Sequence, residues 1–182
     1  DPNSIQFVEA HATATPVGDS VEFKALQAVL GQDRTPGLPP IELGSSKALI
    51  GHTGWVSGLA SVVKMVKAMD EKVIPRQYNY ETPNPEIKLE NSGLSIPLSN
   101  RPWPKNINGF PRRCGINGFG FGGTNLHLIL EEYSETYHRE LCAGMNSTPP
   151  ASEKLAIIGG PGSIDPCVVA LPCLPSPRTS TS

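Results

Sequence analysis

The chain has 182 residues, a formal charge of -2 and a pI near 6.1, with Lys and Arg scattered rather than clustered, which gives no general attraction to nucleic acid or an anionic membrane. Its 19 Pro and 18 Gly are unevenly spread, so the packed part must be shorter than the whole. No apolar run approaches the roughly 20 residues of a membrane span, and no charged stretch followed by an apolar one suggests a leader, so a cytoplasmic protein is expected.

In chain order, Asp1 is followed almost at once by the strand-like run Ile5-Gln6-Phe7-Val8, an opening that reads as a piece of a larger domain. A turn-rich segment, His11 to Gly18, leads to Asp19-Ser20-Val21-Glu22, where an Asp with Glu three places on predicts a helix start. Phe23, Leu26 and Leu30 share one face of that helix, which should stop at Gly31. Past the Pro-rich stretch from Pro36 to Pro40, a short strand is expected around Ile41-Glu42-Leu43. Apolar residues Val56, Leu59, Val62, Val63, Met65 and Val66 then recur at helical spacing up to about Asp70, which predicts a well-buried helix with Lys64 and Lys67 on its outer side.

From Val73 to Gly93, Pro75, Pro83 and Pro85 forbid a long helix, and an ordered surface loop is expected. Arg113 to Ile116 and Asn125 to Glu132 predict two strands flanking a glycine turn. From about Ser134 the composition becomes polar and small. Residues 1–133 are therefore expected to form the folded part and residues 134–182 a largely disordered linker and tail, most clearly over Leu171 to Ser182. A second glycine run, Ile157 to Gly162, reads as a turn or linker. The four cysteines, Cys114, Cys142, Cys167 and Cys173, contain no CxxC pair and are expected to be reduced.

Three segments place polar groups at strand ends, where an α/β sheet gathers its functional loops: Val8 to Thr15 with Gly18, Asp19 and Glu22; Ser46-Lys47 with Ile50-Gly51-His52; and Gly118 to Asn125. Singly, each residue has a plain structural reading: a histidine is a hydrogen-bonded structural group, Lys47 a solvated charge, Glu22 a helix-start carboxylate. His127 is assigned to the structural class. Gly118, Gly120 and Gly123 match the dinucleotide-binding glycine spacing, but a strand rather than a helix follows, and no acidic residue in a βαβ unit completes the pattern, so nucleotide binding is rejected. Gly120, Gly122 and Gly123 instead suit a backbone that exposes amide N–H groups to a ligand, as an oxyanion site requires. A metal site from His11, His52 and His127 lacks a close ligand pair, and G-x-S-x-G is absent, so neither metal nor serine-hydrolase chemistry is expected.

Together the segments resemble the second half of a β-ketoacyl synthase (ketosynthase) of the thiolase-like fold, whose motifs run E-A-H-G-T-G-T with G-D and E, then K-S-N-I-G-H, then G-F-G-G-T-N. They stand here as Glu9-Ala10-His11-Ala12-Thr13-Ala14-Thr15 with Gly18-Asp19 and Glu22, as Lys47-Ala48-Leu49-Ile50-Gly51-His52, and as Gly120-Phe121-Gly122-Gly123-Thr124-Asn125. Glu81 to Pro85 and Leu89 to Leu94 are similar to the multidomain polyketide synthase branch, so the resemblance covers about residues 5–133.

The resemblance implies an α/β, thiolase-like layered fold and a decarboxylative Claisen condensation of an acyl thioester with malonyl-acyl carrier protein. It assigns enolate stabilisation to His11 and His52, organisation of the site to Lys47 paired with Glu22, and contacts with the phosphopantetheine arm to Thr13 and Thr15. It makes the Phe121 amide an oxyanion donor and its ring a gate, and gives supporting places to Asn125, Asp19, Gly120, Gly122 and Gly123. No cofactor is expected on this segment. The implied partners are the acyl carrier protein that carries the phosphopantetheine, the other half of the ketosynthase, and a second parent chain in a homodimer. The family's nucleophilic cysteine lies in an earlier strand-to-helix turn, Cys114 falls on an ordinary strand position, and the chain alone is expected to be inactive. Ala12 and Ala14 stand where the family has glycines, and Ala48 and Leu49 where it has Ser and Asn. These departures leave two further readings: a non-catalytic ketosynthase-like binding subunit, and a gene fragment that folds poorly.

Overall fold

The computed structural model describes residues 1–82, 84–105 and 109–143. The second glycine run, Cys167, Cys173 and the tail from Leu171 lie outside the described residues.

Strand β1 (Phe7–Glu9) leads through a tight turn into helix α1 (Pro16–Leu26), which continues as a π-turn over Gln27–Gly31. The helix therefore begins three residues before the Asp19 start expected from the sequence. Pro16 occupies its first turn, where a missing N–H costs nothing, with Thr15 in extended backbone before it. Asp19, one turn inside, instead reaches back to accept the Ala14 N–H at 3.1 Å. The helical run ends at Gly31 as expected, in very close packing: a Cβ on Gly31 would lie 2.1 Å from the Ser92 carbonyl oxygen.

Next come β2 (Ile41–Gly44), the single turn α2 (Lys47–Ile50) and the long helix α3 (Ser57–Asp70). The loop after α3 is punctuated by β3 (Val73–Ile74), β4 (Leu94–Ser95) and β5 (Arg101–Pro102). A hairpin, β6 (Arg113–Phe119) and β7 (Asn125–Glu131), and helix α4 (Glu135–Ala143) complete the described chain. Helix α4 replaces the first part of the linker expected from residue 134. It is fastened to the hairpin by polar contacts that composition alone does not reveal: Arg113 Nη2 donates to the Tyr137 hydroxyl at 2.7 Å, and His138 Nε2 meets Glu131 Oε1 at 2.8 Å.

The main sheet runs in the order β4-β2-β1-β6-β7. β1 is parallel to β2 and to β6, β2 is parallel to β4, and only β7 runs antiparallel, paired to β6 from Arg113↔Glu131 to Phe119↔Asn125. β3 and β5 form a separate antiparallel pair. Alternation along β1 sends Phe7 to one face and Val8 to the other. Phe7 joins Met65, Met69, Trp103, Cys114 and Leu130 in a core beneath α3, while Val8 joins Phe23, Leu26, Ile41 and Leu43 in a core beneath α1. The sheet is thus covered on both sides, the α/β layering that parallel strands require.

The inward face of α3 differs from expectation. Ser61, Met65, Ala68 and Met69 are buried, whereas Leu59 and Val63 remain 64% and 62% exposed. Lys64, expected outside, points inward: its Nζ lies 2.5 Å from Oε2 of Glu9, whose side chain has no solvent exposure. A charged residue in a buried strand end needs a counter-charge, and Lys64 supplies it beside the apolar stripe of Met65, Ala68 and Met69, with Val62 and Val66 packed against the same core.

Two non-glycine residues in the turn after β1 have positive φ, Ala12 at 31° and Ala14 at 62°. The methyl groups at these positions are therefore held against the preference of an L residue, at a cost of about 1–2 kcal/mol each.

Two stability outcomes follow from this frame, both read by chemical denaturation. Lys64→Met, which leaves Glu9 buried and unpaired, should destabilise by about 3–5 kcal/mol, and adding Glu9→Gln should recover most of the loss. Ala12→Gly and Ala14→Gly should each leave stability unchanged or raise it by up to about 1 kcal/mol, the relief of strain being partly offset by glycine's greater freedom when unfolded.

Candidate functional site

Because β1, β2 and β6 are parallel neighbours, Glu9, Gly44 and Phe119 end at one edge of the sheet. The three polar segments of the sequence leave from these ends, and the fold brings their first residues together. His11 follows β1 and His52 follows α2. Their rings stand edge to face with centroids 5.4 Å apart, and the Phe119 ring lies 5.1 Å from His11 on the other side.

Each imidazole is fixed by a backbone amide. The Phe119 N–H donates to His11 Nδ1 at 3.3 Å, and the Gly54 N–H donates to His52 Nδ1 at 3.1 Å. A ring nitrogen that accepts carries no proton, so both neutral rings hold theirs on Nε2. Burial lowers the His11 pKa from its ordinary 6.5; the Lys47 charge adds to this and Glu22 opposes it.

Lys47 opens α2 and is half-buried. Desolvation lowers its ammonium pKa from 10.5, against the opposing fields of Glu9 and Glu22. The expected Lys47–Glu22 ion pair is not formed. Glu22 is committed elsewhere, its carboxylate accepting the N–H groups of His11 and Ala12 at 2.8 Å each and Asn117 Nδ2 at 2.7 Å. Glu9 likewise accepts the Ser46 N–H at 2.5 Å besides pairing with Lys64, so it anchors the residue just before Lys47.

A cleft of about 780 Å³ opens between the turn after β1, the start of α1, α2 and the loop from Gln77 to Ile87. Thr13, Thr15, Asp19, Glu22, Lys47 and His52 border it, as do Ala12 and Ala14, whereas His11 does not. Burial raises the Asp19 pKa above its ordinary value, although the Ala14 N–H bond works against this.

The glycine turn is placed differently. Gly120 donates its N–H to the Thr124 carbonyl at 2.8 Å and Gly123 to the Gly120 carbonyl at 3.2 Å, with φ of 88° at Gly122 and 90° at Gly123. These bonds leave the Phe121 amide unused by the turn, and its ring is 90% exposed. Asn125 opens β7, opposite Phe119 in the register. Neither Phe121 nor Asn125 borders the cleft, and it is Phe119 that touches His11. Cys114, with no exposure and a thiol pKa pushed up by burial, is an inert core residue. Among the described residues no three His, Cys, Asp or Glu side chains are grouped to hold an ion.

Two participants lie outside the motifs, Lys64 and Asn117; Glu9 and Phe119 lie within them but were given no role there.

Comparison with known proteins identifies the family and the fold. A family model described as "Beta-ketoacyl synthase, C-terminal domain" matches residues 1–81, and one described as "Ketoacyl-synthetase C-terminal extension" matches residues 83–156. Highly reducing polyketide synthase 40 of Fusarium pseudograminearum is 44% identical over 137 residues, which are 75% of this chain and 5% of that protein. Highly reducing polyketide synthase poxF of Penicillium oxalicum is 46% identical over 131 residues, 72% of this chain and 5% of that protein. Among solved structures, the ketosynthase from module 6 of the bacillaene synthase of Bacillus subtilis 168 superposes with a TM-score of 0.68 at 38% identity, covering 74% of this chain and 24% of that one. The chain thus spans about a twentieth of the polyketide synthases it matches and about a quarter of the ketosynthase structure. With both models in sequence order and a ketosynthase fold beneath the two histidines, the chain belongs to the β-ketoacyl synthase family, as the C-terminal part of a polyketide synthase ketosynthase with a thiolase-like fold.

Proposed function

We propose that the protein containing this chain catalyses decarboxylative Claisen condensation between an acyl thioester and malonyl-acyl carrier protein. The observation that carries the reading is the His11–His52 pair, two rings with centroids 5.4 Å apart whose Nδ1 atoms each accept a backbone N–H. Each then has an Nε2–H to donate to one thioester oxygen. When the malonyl carbon–carboxylate bond breaks, its electron pair moves into an enolate whose oxygen takes up the charge, and such donors stabilise that charge more than they do the ground state. Carbon dioxide leaves; the enolate carbon attacks the acyl carbonyl, and the thiolate that carried the acyl group departs.

Lys47 keeps a positive field beside the pair and helps hold His11 neutral. Thr13 and Thr15 offer hydroxyls along the cleft to the amide-rich phosphopantetheine arm of the carrier protein. The acyl-bearing cysteine comes from the preceding part of the ketosynthase, so the segment alone does not condense. Phe121 and Asn125 act at the mouth of the completed site, the Phe121 amide as an oxyanion donor. A cytoplasmic, homodimeric parent fits this chemistry, and the cofactor group arrives on the carrier protein.

A second reading has one observation in its favour. The methyls of Ala12 and Ala14 combine positive φ with a place on the cleft wall, which suits a ketosynthase-like subunit that binds a carrier protein without turning over.

In the full polypeptide containing this chain, carbon dioxide release from malonyl-acyl carrier protein should fall about 10²–10³-fold in His11→Ala and in His52→Ala. A folded parent that binds carrier protein but releases no carbon dioxide supports the second reading and overturns the first. Since burial lowers the His11 pKa, histidine NMR should find its ring more than half neutral at pH 6.5 and half-protonated only below it. A His11 ring half-protonated above pH 6.5 contradicts that assignment.

A further inference from the structure

Glu22 is buried and receives three donors, two from the turn that carries His11 and one from β6. An ionised carboxylate only accepts hydrogen bonds, so the Asn117 side chain must turn its nitrogen toward Glu22. Its Oδ1 is then the atom that meets His127 Nδ1, 2.5 Å away. An amide oxygen also only accepts, so the His127 proton must sit on Nδ1. This tautomer is the opposite of the one that Phe119 and Gly54 impose on His11 and His52.

The backbone is shaped for this contact. Asn117 and His127 face each other in the β6–β7 register, and Asn117 is buried. Gly115, two residues before Asn117, leaves room for the imidazole: a Cβ there would lie 2.6 Å from His127 Cε1. A side chain read as merely structural in the sequence is thus joined, through two hydrogen bonds, to the carboxylate that holds the amides of His11 and the left-handed Ala12.

We infer that His127 and Asn117 are positioning residues for His11: His127 fixes the Asn117 amide, Asn117 fixes Glu22, and Glu22 fixes the turn that carries the His11 ring. The consequence for catalysis rests on the proposed role of His11, but the relay itself can be read without any turnover.

The chain has four histidines, so histidine ring-nitrogen NMR of the full 182-residue chain gives four sets of signals. At a pH where the rings are neutral, His127 should show a protonated Nδ1 and a bare Nε2, with His11 and His52 showing the reverse. A His127 ring protonated on Nε2, or averaging between tautomers, overturns the relay whatever the variants do. In Asn117→Ala and in His127→Phe, His11 should lose its single-tautomer signature. In the parent polypeptide, kcat for decarboxylation should fall about ten- to a hundredfold at unchanged KM. His127→Gln, whose amide nitrogen can still donate to Asn117, should keep at least half of the activity. An unchanged His11 signature in both disruptive variants overturns the proposal even if activity falls. An unaltered parent that never decarboxylates malonyl-acyl carrier protein, but shows the expected tautomers, removes the catalytic reading and leaves the relay standing.

Discussion

A carboxylate with no access to water stands at the end of the central strand, and most of the site's geometry depends on satisfying it. Glu9 receives the Ser46 amide and the Lys64 ammonium, both at 2.5 Å. The first contact fixes where α2 starts, hence where Lys47 and His52 can lie. The second holds Lys64 on the sheet-facing side of α3, beside Met65. A buried carboxylate left alone would cost several kcal/mol, so these two partners act as a constraint on three elements at once. Glu22 plays the corresponding role on the other side of β1, tying the turn to α1 and β6.

These two clamps explain how the turn from His11 to Thr15 keeps a backbone its own residues resist. Ala12 and Ala14 hold positive φ because the amides around them have committed partners: Glu22 takes those of His11 and Ala12, and Asp19 takes that of Ala14. Three charge-assisted hydrogen bonds, each worth about 1.5–3 kcal/mol, exceed the strain of two left-handed alanines.

The sequence made the elements and their order legible because their signals are local. Pro36 to Pro40 and the glycines punctuate, and Leu126, Leu128 and Leu130 alternate, so β2 and β7 fall within a residue of expectation, while β6 starts at Arg113 as expected and runs on to Phe119. That Ala12 and Ala14 stand where the family has glycines was legible too; that both have positive φ is seen only in the structure. What was not legible depends on partners remote in sequence. Lys64 looked solvated because its carboxylate is 55 residues away. Glu22 looked like the partner of Lys47 because charge is visible in a sequence and backbone amides are not. Helix α4 was missed because contacts that hold its described side chains, from Arg113 to Tyr137 and from Glu131 to His138, are polar and join segments that composition does not link.

The same distinction bears on the replaced motif residues. Ala48 and Leu49 remove two polar side chains next to His52, and on a view in which side chains orient the catalytic ring this would be serious. In the structure the His52 Nδ1 is met by the Gly54 N–H, at a glycine with φ of 61°, while Leu49 is 57% exposed and Ala48 contributes its backbone carbonyl to Asn79 Nδ2 at 2.8 Å. His11 is oriented by the Phe119 amide in the same manner. Because both tautomers are imposed by main chain, they depend on the path of the backbone more than on the identity of its neighbours. Substitutions that preserve that path leave the two Nε2–H donors in place; a change at Gly54 that forbids positive φ would disturb one of them directly.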